Sequence, residues 1–205
     1  GPMGSELGYR EATAGLLMAA FFAVSALVSR KAGALADSVG PITTLQIGLV
    51  GSAIVAAGVA AGVRSVTLLA IAMMVGGACN ALTQIAANVY LARYLPPDRH
   101  GLAFAVKQSA NPGGAMAAGL LLPTLVLNLG WRSAFVVAAC GAGCSAVALQ
   151  AGRNWPPAVP VPDVGIRQGA VTTSPPPTGG RDRALILVAA SAAFGSASAV
   201  ALGGF

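Results

Sequence analysis

The sequence predicts an all-α membrane protein built as a bundle of six transmembrane helices, and three observations carry that prediction. Charged residues make up 9% of the 205 residues and hydrophobic ones 56%; soluble domains carry about 25% charged residues, so this chain could not cover a water-facing surface. The apolar residues are gathered into six segments, at roughly 12–29, 42–62, 66–91, 102–128, 133–151 and 184–205. Each is near or above the about 18–20 residues needed to cross the hydrocarbon core. Finally, the segments do not alternate, and buried strands run only about 4–8 residues, so the segments read as helices.

The first two segments flank "GALADSVG", residues 33–40, with Arg30 and Lys31 just upstream. Here Gly33 is placed to close the first helix, and Gly40 to take the positive φ of a tight turn. Pro41 suits the first turn of the second helix, where its missing N–H costs nothing. Asp37 then precedes that helix, where a carboxylate meets exposed N–H groups and the positive end of the dipole.

The third segment carries Asn80, Gln84 and Asn88, spaced four apart, with Thr83 beside them. That spacing puts the three amides on one helical face, either lining a cavity or bonding a neighbouring helix. The fourth segment holds "KQSANPGG", residues 107–114, in which Lys107 and Asn111 share a face and Gln108 is adjacent. Lys107 lies about six residues, roughly 9 Å, from the segment's start. It either snorkels to the interface or forms a cationic site for an anionic substrate or a partner carboxylate. Pro112, Gly113 and Gly114 predict a kink or an unwound turn, tolerable beside protein or a water-filled cavity. The fifth segment, with few polar residues beyond Ser133 and Ser145, reads as a peripheral helix packed on lipid.

Between the fifth and sixth segments runs "GRNWPPAVPVPDVGIRQGAVTTSPPPTGGRD", which holds seven prolines and reads as an extended connector. The domain organisation is therefore a five-helix block (1–151), a linker (152–183) and one further helix (184–205).

Basic residues orient the bundle. Arg30, Lys31, Arg93, Arg99, Arg153, Arg167, Arg181 and Arg183 fall in alternate linkers on one side, against Arg10, Arg64 and Arg132 on the other. By the positive-inside rule the richer side is cytoplasmic, so the net charge of +6 reports orientation and implies no nucleic-acid partner. Abundant alanine and glycine reflect either close helix packing or a GC-rich genome. Cys79, Cys140 and Cys144 lie in apolar stretches with no histidine near, so they read as small packing residues; no metal site and no cofactor is implied. Intramembrane enzyme chemistry is disfavoured, because no acidic dyad, HExxH or Ser–His constellation is present.

The GALADSVG loop resembles the G-x-L-x-D-x-x-G signature of the major facilitator superfamily, which joins that family's second and third helices on the cytoplasmic side. "ARYLPPDRHGLAFAVKQSANPGGAMAAGLLLP" (92–123) resembles its fourth-to-fifth helix junction, and "GWRSAF" (130–135) the entry to its sixth helix. The resemblance covers about residues 5–205 and maps the six segments onto helices two to seven. It implies a partial bundle, with the first helix and most of the C-terminal half absent, and both ends of the chain read as cut. "GPMGS" reads as a cloning scar or as native loop.

What the resemblance implies is a secondary transporter that moves a small solute by alternating access in a bacterial cell membrane, incomplete in this chain and not transporting by itself. The alternative is a truncated membrane protein, or a partner subunit, with no transport of its own. The resemblance implies a conformational latch at Gly33, Asp37, Gly40 and Arg99. It also implies a substrate cavity lined by Asn80, Gln84, Asn88, Lys107, Gln108 and Asn111. The basic residues usual after the second glycine are absent, and Arg30 and Lys31 stand in for part of their charge. The membrane-embedded arginine of the family's drug–proton antiporters is also missing; Met73 and Met74 occupy that neighbourhood.

Overall fold

A computed structural model of the chain describes residues 11–95 and 99–151. They form five α-helices, α1 (Glu11–Val39), α2 (Pro41–Gly62), α3 (Val66–Tyr94), α4 (His100–Leu129) and α5 (Arg132–Ala151). No strand occurs among the described residues. All five helices are long and apolar enough to cross a membrane. The linker 152–183 and the sixth apolar segment, 184–205, lie outside the described residues.

The first boundary corrects the sequence expectation. α1 does not stop near residue 29; it runs through Arg30, Lys31 and Gly33 to Val39. Leaving an apolar stretch does not end a helix whose backbone bonds are internal. It ends where Gly40 adopts φ +93°, immediately before Pro41, because a residue preceding proline is pushed out of the helical region. Gly33 is therefore not a helix stop. It lies inside α1, where an added methyl would meet only Ile85 Cγ2 at 3.9 Å. Gly40 and Pro41 do occupy the turn and the first helical position, and the Gly40 carbonyl accepts both the N–H and the hydroxyl of Thr44, at 3.1 and 3.0 Å.

Ser65 caps α3, its hydroxyl oxygen accepting the Leu68 N–H at 3.2 Å, which satisfies one orphan donor of the first turn. α3 then continues past its apolar segment to Tyr94, so that Arg93 stands in its last turn. His100 opens α4 and donates from Nε2 to the Leu95 carbonyl at 2.9 Å. Pro112 and Pro123 both lie within α4, which is helical throughout. The unwound turn expected at Pro112–Gly114 is not formed. Gly130, at φ +80°, closes the helix with its N–H on the Val126 carbonyl at 3.1 Å.

α1 and α3 run parallel and pack directly on each other; α2, antiparallel to both, packs on α3, and α5 on α2, while α4 makes lighter contact with α3 and α5. Small residues set the spacing. A methyl on Gly48 would stand 2.5 Å from Thr83 Oγ1 and 2.9 Å from the Cys79 carbonyl oxygen, and one on Gly77 would collide with the backbone of Phe21. At these positions, close packing is the use to which the sequence puts glycine. At the end of the bundle holding Ser65 and Gly130, Leu17, Phe21, Val59, Val63, Leu69, Met73, Trp131 and Phe135 form one core cluster. A second, nearer Gly40, joins Leu45 and Leu49 of α2, Ala86 and Ala87 of α3, and Ala146 and Leu149 of α5. α5 is therefore not simply a lipid-packed peripheral helix: one face is built into the bundle, while Val136, Val137 and Val147 stay exposed. Exposed apolar side chains such as Leu16, Leu27, Ile54 and Leu120 need no cover in hydrocarbon, which is as apolar as they are.

Candidate functional site

Because α1 and α3 are parallel, their C-terminal ends lie side by side at the Gly40 end of the bundle. There Arg93 Nη2 donates to Asp37 Oδ1 at 2.6 Å, an ion pair with side chains 48% and 60% exposed. Its two ends differ electrostatically. Arg93 favours the negative pole of α3, whereas Asp37 sits at the negative pole of its own helix, where a carboxylate is disfavoured. The expectation that Asp37 caps the following helix is therefore corrected: α2 has no side-chain cap, and the aspartate spends its charge on α3. Arg99, the arginine named from the sequence, occupies the N-cap position of α4. Arg93 was counted only as a loop charge, yet it is the residue the fold brings to Asp37. The signal that would have found it is the spacing of two parallel helices, with Asp37 and Arg93 each in a last turn.

The polar stripe of α3 divides between two neighbours. Asn80 Nδ2 donates to Ser25 Oγ of α1 at 3.4 Å, a contact for which the sequence offered no partner. Asn88 Oδ1 instead accepts from Lys107 Nζ of α4 at 2.9 Å. Lys107 is 4% exposed, so its ammonium is turned into the α3–α4 contact. One turn deeper along each helix stand Gln84 and Asn111, partly buried, while Gln108 is exposed. Thr83 bonds the Cys79 carbonyl at 2.9 Å and faces α2. Gln46 and Gln150, singled out by nothing in the sequence, join α2 to α5 with an amide–amide bond of 2.6 Å.

The arrangement can do two things chemically. It offers an ion pair that can be broken and remade at the helix ends, and a buried cation among carboxamides between α3 and α4. Among the described residues no cluster of three His, Cys, Asp or Glu could hold a metal ion, and Cys79, Cys140 and Cys144 are all free thiols.

The sequence profile described as Major Facilitator Superfamily matches residues 1–205. No curated protein and no solved structure matches the chain. A profile spanning the whole sequence, over a bundle of apolar helices long enough to cross a membrane, places the chain in one family: it belongs to the major facilitator superfamily of secondary transporters.

Proposed function

We propose that these helices are the second to sixth of a transporter that carries a small solute across a cell membrane by alternating access, with the α1–α2 turn at Gly40 and the α3–α4 connection on the cytoplasmic side. The observation that supports this most is the Asp37–Arg93 pair. A pair this exposed contributes about 0.2–1 kcal/mol, too little to hold a fold together. It is enough to bias two conformations of similar energy, since about 1.4 kcal/mol is a tenfold change in their ratio. In this reading the pair is a latch that closes in one of the two access states and opens in the other. The carboxamides of α3 and α4, with Lys107, line the path of the solute.

The test is uptake by the intact transporter in proteoliposomes, measured beside thermal stability, for Asp37→Asn, Arg93→Asp and the exchanged pair Asp37→Arg with Arg93→Asp. Single changes should lower uptake strongly with little loss of stability, and the exchange should restore part of it. Near-normal uptake by Asp37→Asn would remove the latch.

A further inference from the structure

Lys107 is the one buried cation among the described residues, and among those residues the chain has no carboxylate paired with it. Its six acidic residues are Glu6, Glu11, Asp37, Asp98, Asp163 and Asp182, so none falls within α2 to α5. Asp37 is already committed to Arg93 at the end of the bundle. The ammonium has three N–H donors, and the neutral Asn88 carbonyl receives one of them. Such a charge is costly to bury, because a dipole replaces only part of the lost hydration. A negative charge arriving beside it would be strongly favoured.

The surroundings say which kind of anion. A single cation is neutralised by a monoanion, whereas a dianion would leave net charge inside the membrane. The Asn88 amide nitrogen, beside the ammonium, supplies N–H donors that with it suit a planar pair of acceptor oxygens. Lys107 is the last buried residue along α4; beyond it, every described side chain of that helix is partly buried or exposed. The ammonium thus sits where the burial of α4 ends.

We infer that Lys107 and Asn88 form the charge-recognising end of a binding site for a small monocarboxylate. Only the carboxylate's role as cargo rests on the transporter reading above; the binding itself does not. On arrival the carboxylate takes the N–H that Asn88 now accepts, and Asn88 turns its own amide N–H toward the ligand.

The experiment follows thermal unfolding of the intact protein in phosphatidylcholine nanodiscs at constant ionic strength. The probes are acetate, lactate, pyruvate and benzoate, with lactamide and benzamide as neutral matches and sulfate as the dianion. At least one carboxylate should raise the Tm in a saturable way, with no shift from its amide and a smaller one from sulfate. Lys107→Met and Lys107→Gln should weaken that carboxylate about tenfold or more, and Lys107→Arg should keep part of the affinity. Without ligand, the two neutral variants should melt at or above the wild-type Tm, because an uncompensated charge has gone; a merely structural lysine would give a lower one.

The inference is overturned if no carboxylate shifts the Tm, or if amides or sulfate match the carboxylates. It is equally overturned if the neutral variants keep the shift, lose ligand-free stability or fail to fold. Carboxylate binding without uptake would refute the transport reading and leave the site standing. Uptake of a neutral solute, unchanged in Lys107→Met with no carboxylate shift, would refute the site and leave the transport reading.

Discussion

Replacing Gly48 with alanine should destabilise the bundle more than the same change at any other described glycine of α2, and the cost follows from what the new methyl meets. It would stand 2.5 Å from Thr83 Oγ1, 2.9 Å from the Cys79 carbonyl oxygen and 3.0 Å from the Thr83 nitrogen, where ordinary contacts need about 3.5–4 Å. The Thr83 hydroxyl could swing aside only by giving up its 2.9 Å bond to Cys79, and the two backbone atoms cannot yield. The helices must therefore part by about 0.5–1 Å, which forfeits a quarter to a half of the dispersion energy of each pair along the contact. Overpacking of this kind costs about 1–3 kcal/mol, and the rigid neighbours put Gly48→Ala toward the upper end. Two glycines on the same helix serve as controls. At Gly51 the methyl would meet the end of the Cys79 side chain, Sγ at 2.5 Å, with the next atom at 3.7 Å. A rotatable thiol can move, so Gly51→Ala should cost less than about 1 kcal/mol and become harmless in a Cys79→Ala background. At Gly58 nothing lies within 4 Å, so Gly58→Ala should be neutral within about 0.5 kcal/mol. Unfolding by SDS titration in bicelles ranks the three. A Gly58→Ala cost equal to that of Gly48→Ala, or a Gly48→Ala variant as stable as wild type, would refute the argument from close approach.

Two further tests bear on the bundle. Gln46→Leu and Gln150→Leu should show a coupling of about 0.6 kcal/mol in a double-mutant cycle, the usual worth of an interhelical hydrogen bond in a membrane; additive effects would mean that the 2.6 Å amide bond contributes nothing. In a cysteine-free background, single cysteines at the exposed Ser38 and Arg64 should label from opposite sides of the membrane, Ser38 from the cytoplasm, and labelling of both from one side would contradict the proposed topology.

The helical membrane architecture was legible because hydropathy is summed over some twenty residues, and a few exceptions do not disturb the sum. The ends of the helices were not, because a charge marks where hydrocarbon stops and not where backbone bonding stops. Arg30 and Lys31 stay inside α1, and Arg93 stays inside α3. That single misplacement hid the partner of Asp37 and turned a contact between helix ends into an apparent N-terminal cap. The amide stripe of α3 was visible as a periodicity. Periodicity says which residues share a face, however, and cannot say that Asn80 would turn to Ser25 and Asn88 to Lys107. Gln150 escaped notice at the edge of its segment, where a lone polar residue looks like the beginning of a loop. At Pro112 the unwound alternative failed. A proline removes one backbone bond, which in a membrane helix is tolerated through local adjustment and neighbouring groups.

Pro112 also decides how α4 can deform. The helix is fastened near both ends, at Ala103 in the cluster with Leu91 and Leu95 and at Val126 against the core around Trp131. Between Ala103 and Val126 lie about 35 Å of helix at 1.5 Å per residue. A rod pinned at two points cannot slide; it can only bow, and it bows where it is weakest. The missing N–H at Pro112 leaves the Gln108 carbonyl without its helical donor and puts that weak point between the two anchors. With the hinge at Pro112, a bend of about 10° would carry that point sideways by roughly 1.4 Å and draw the anchors together by only about 0.1 Å, from the same rise per residue. Asn111, beside the proline, would ride on that displacement while the helix ends held nearly still. Such a strut transmits almost nothing to its fastenings and concentrates its motion among the carboxamides facing α3.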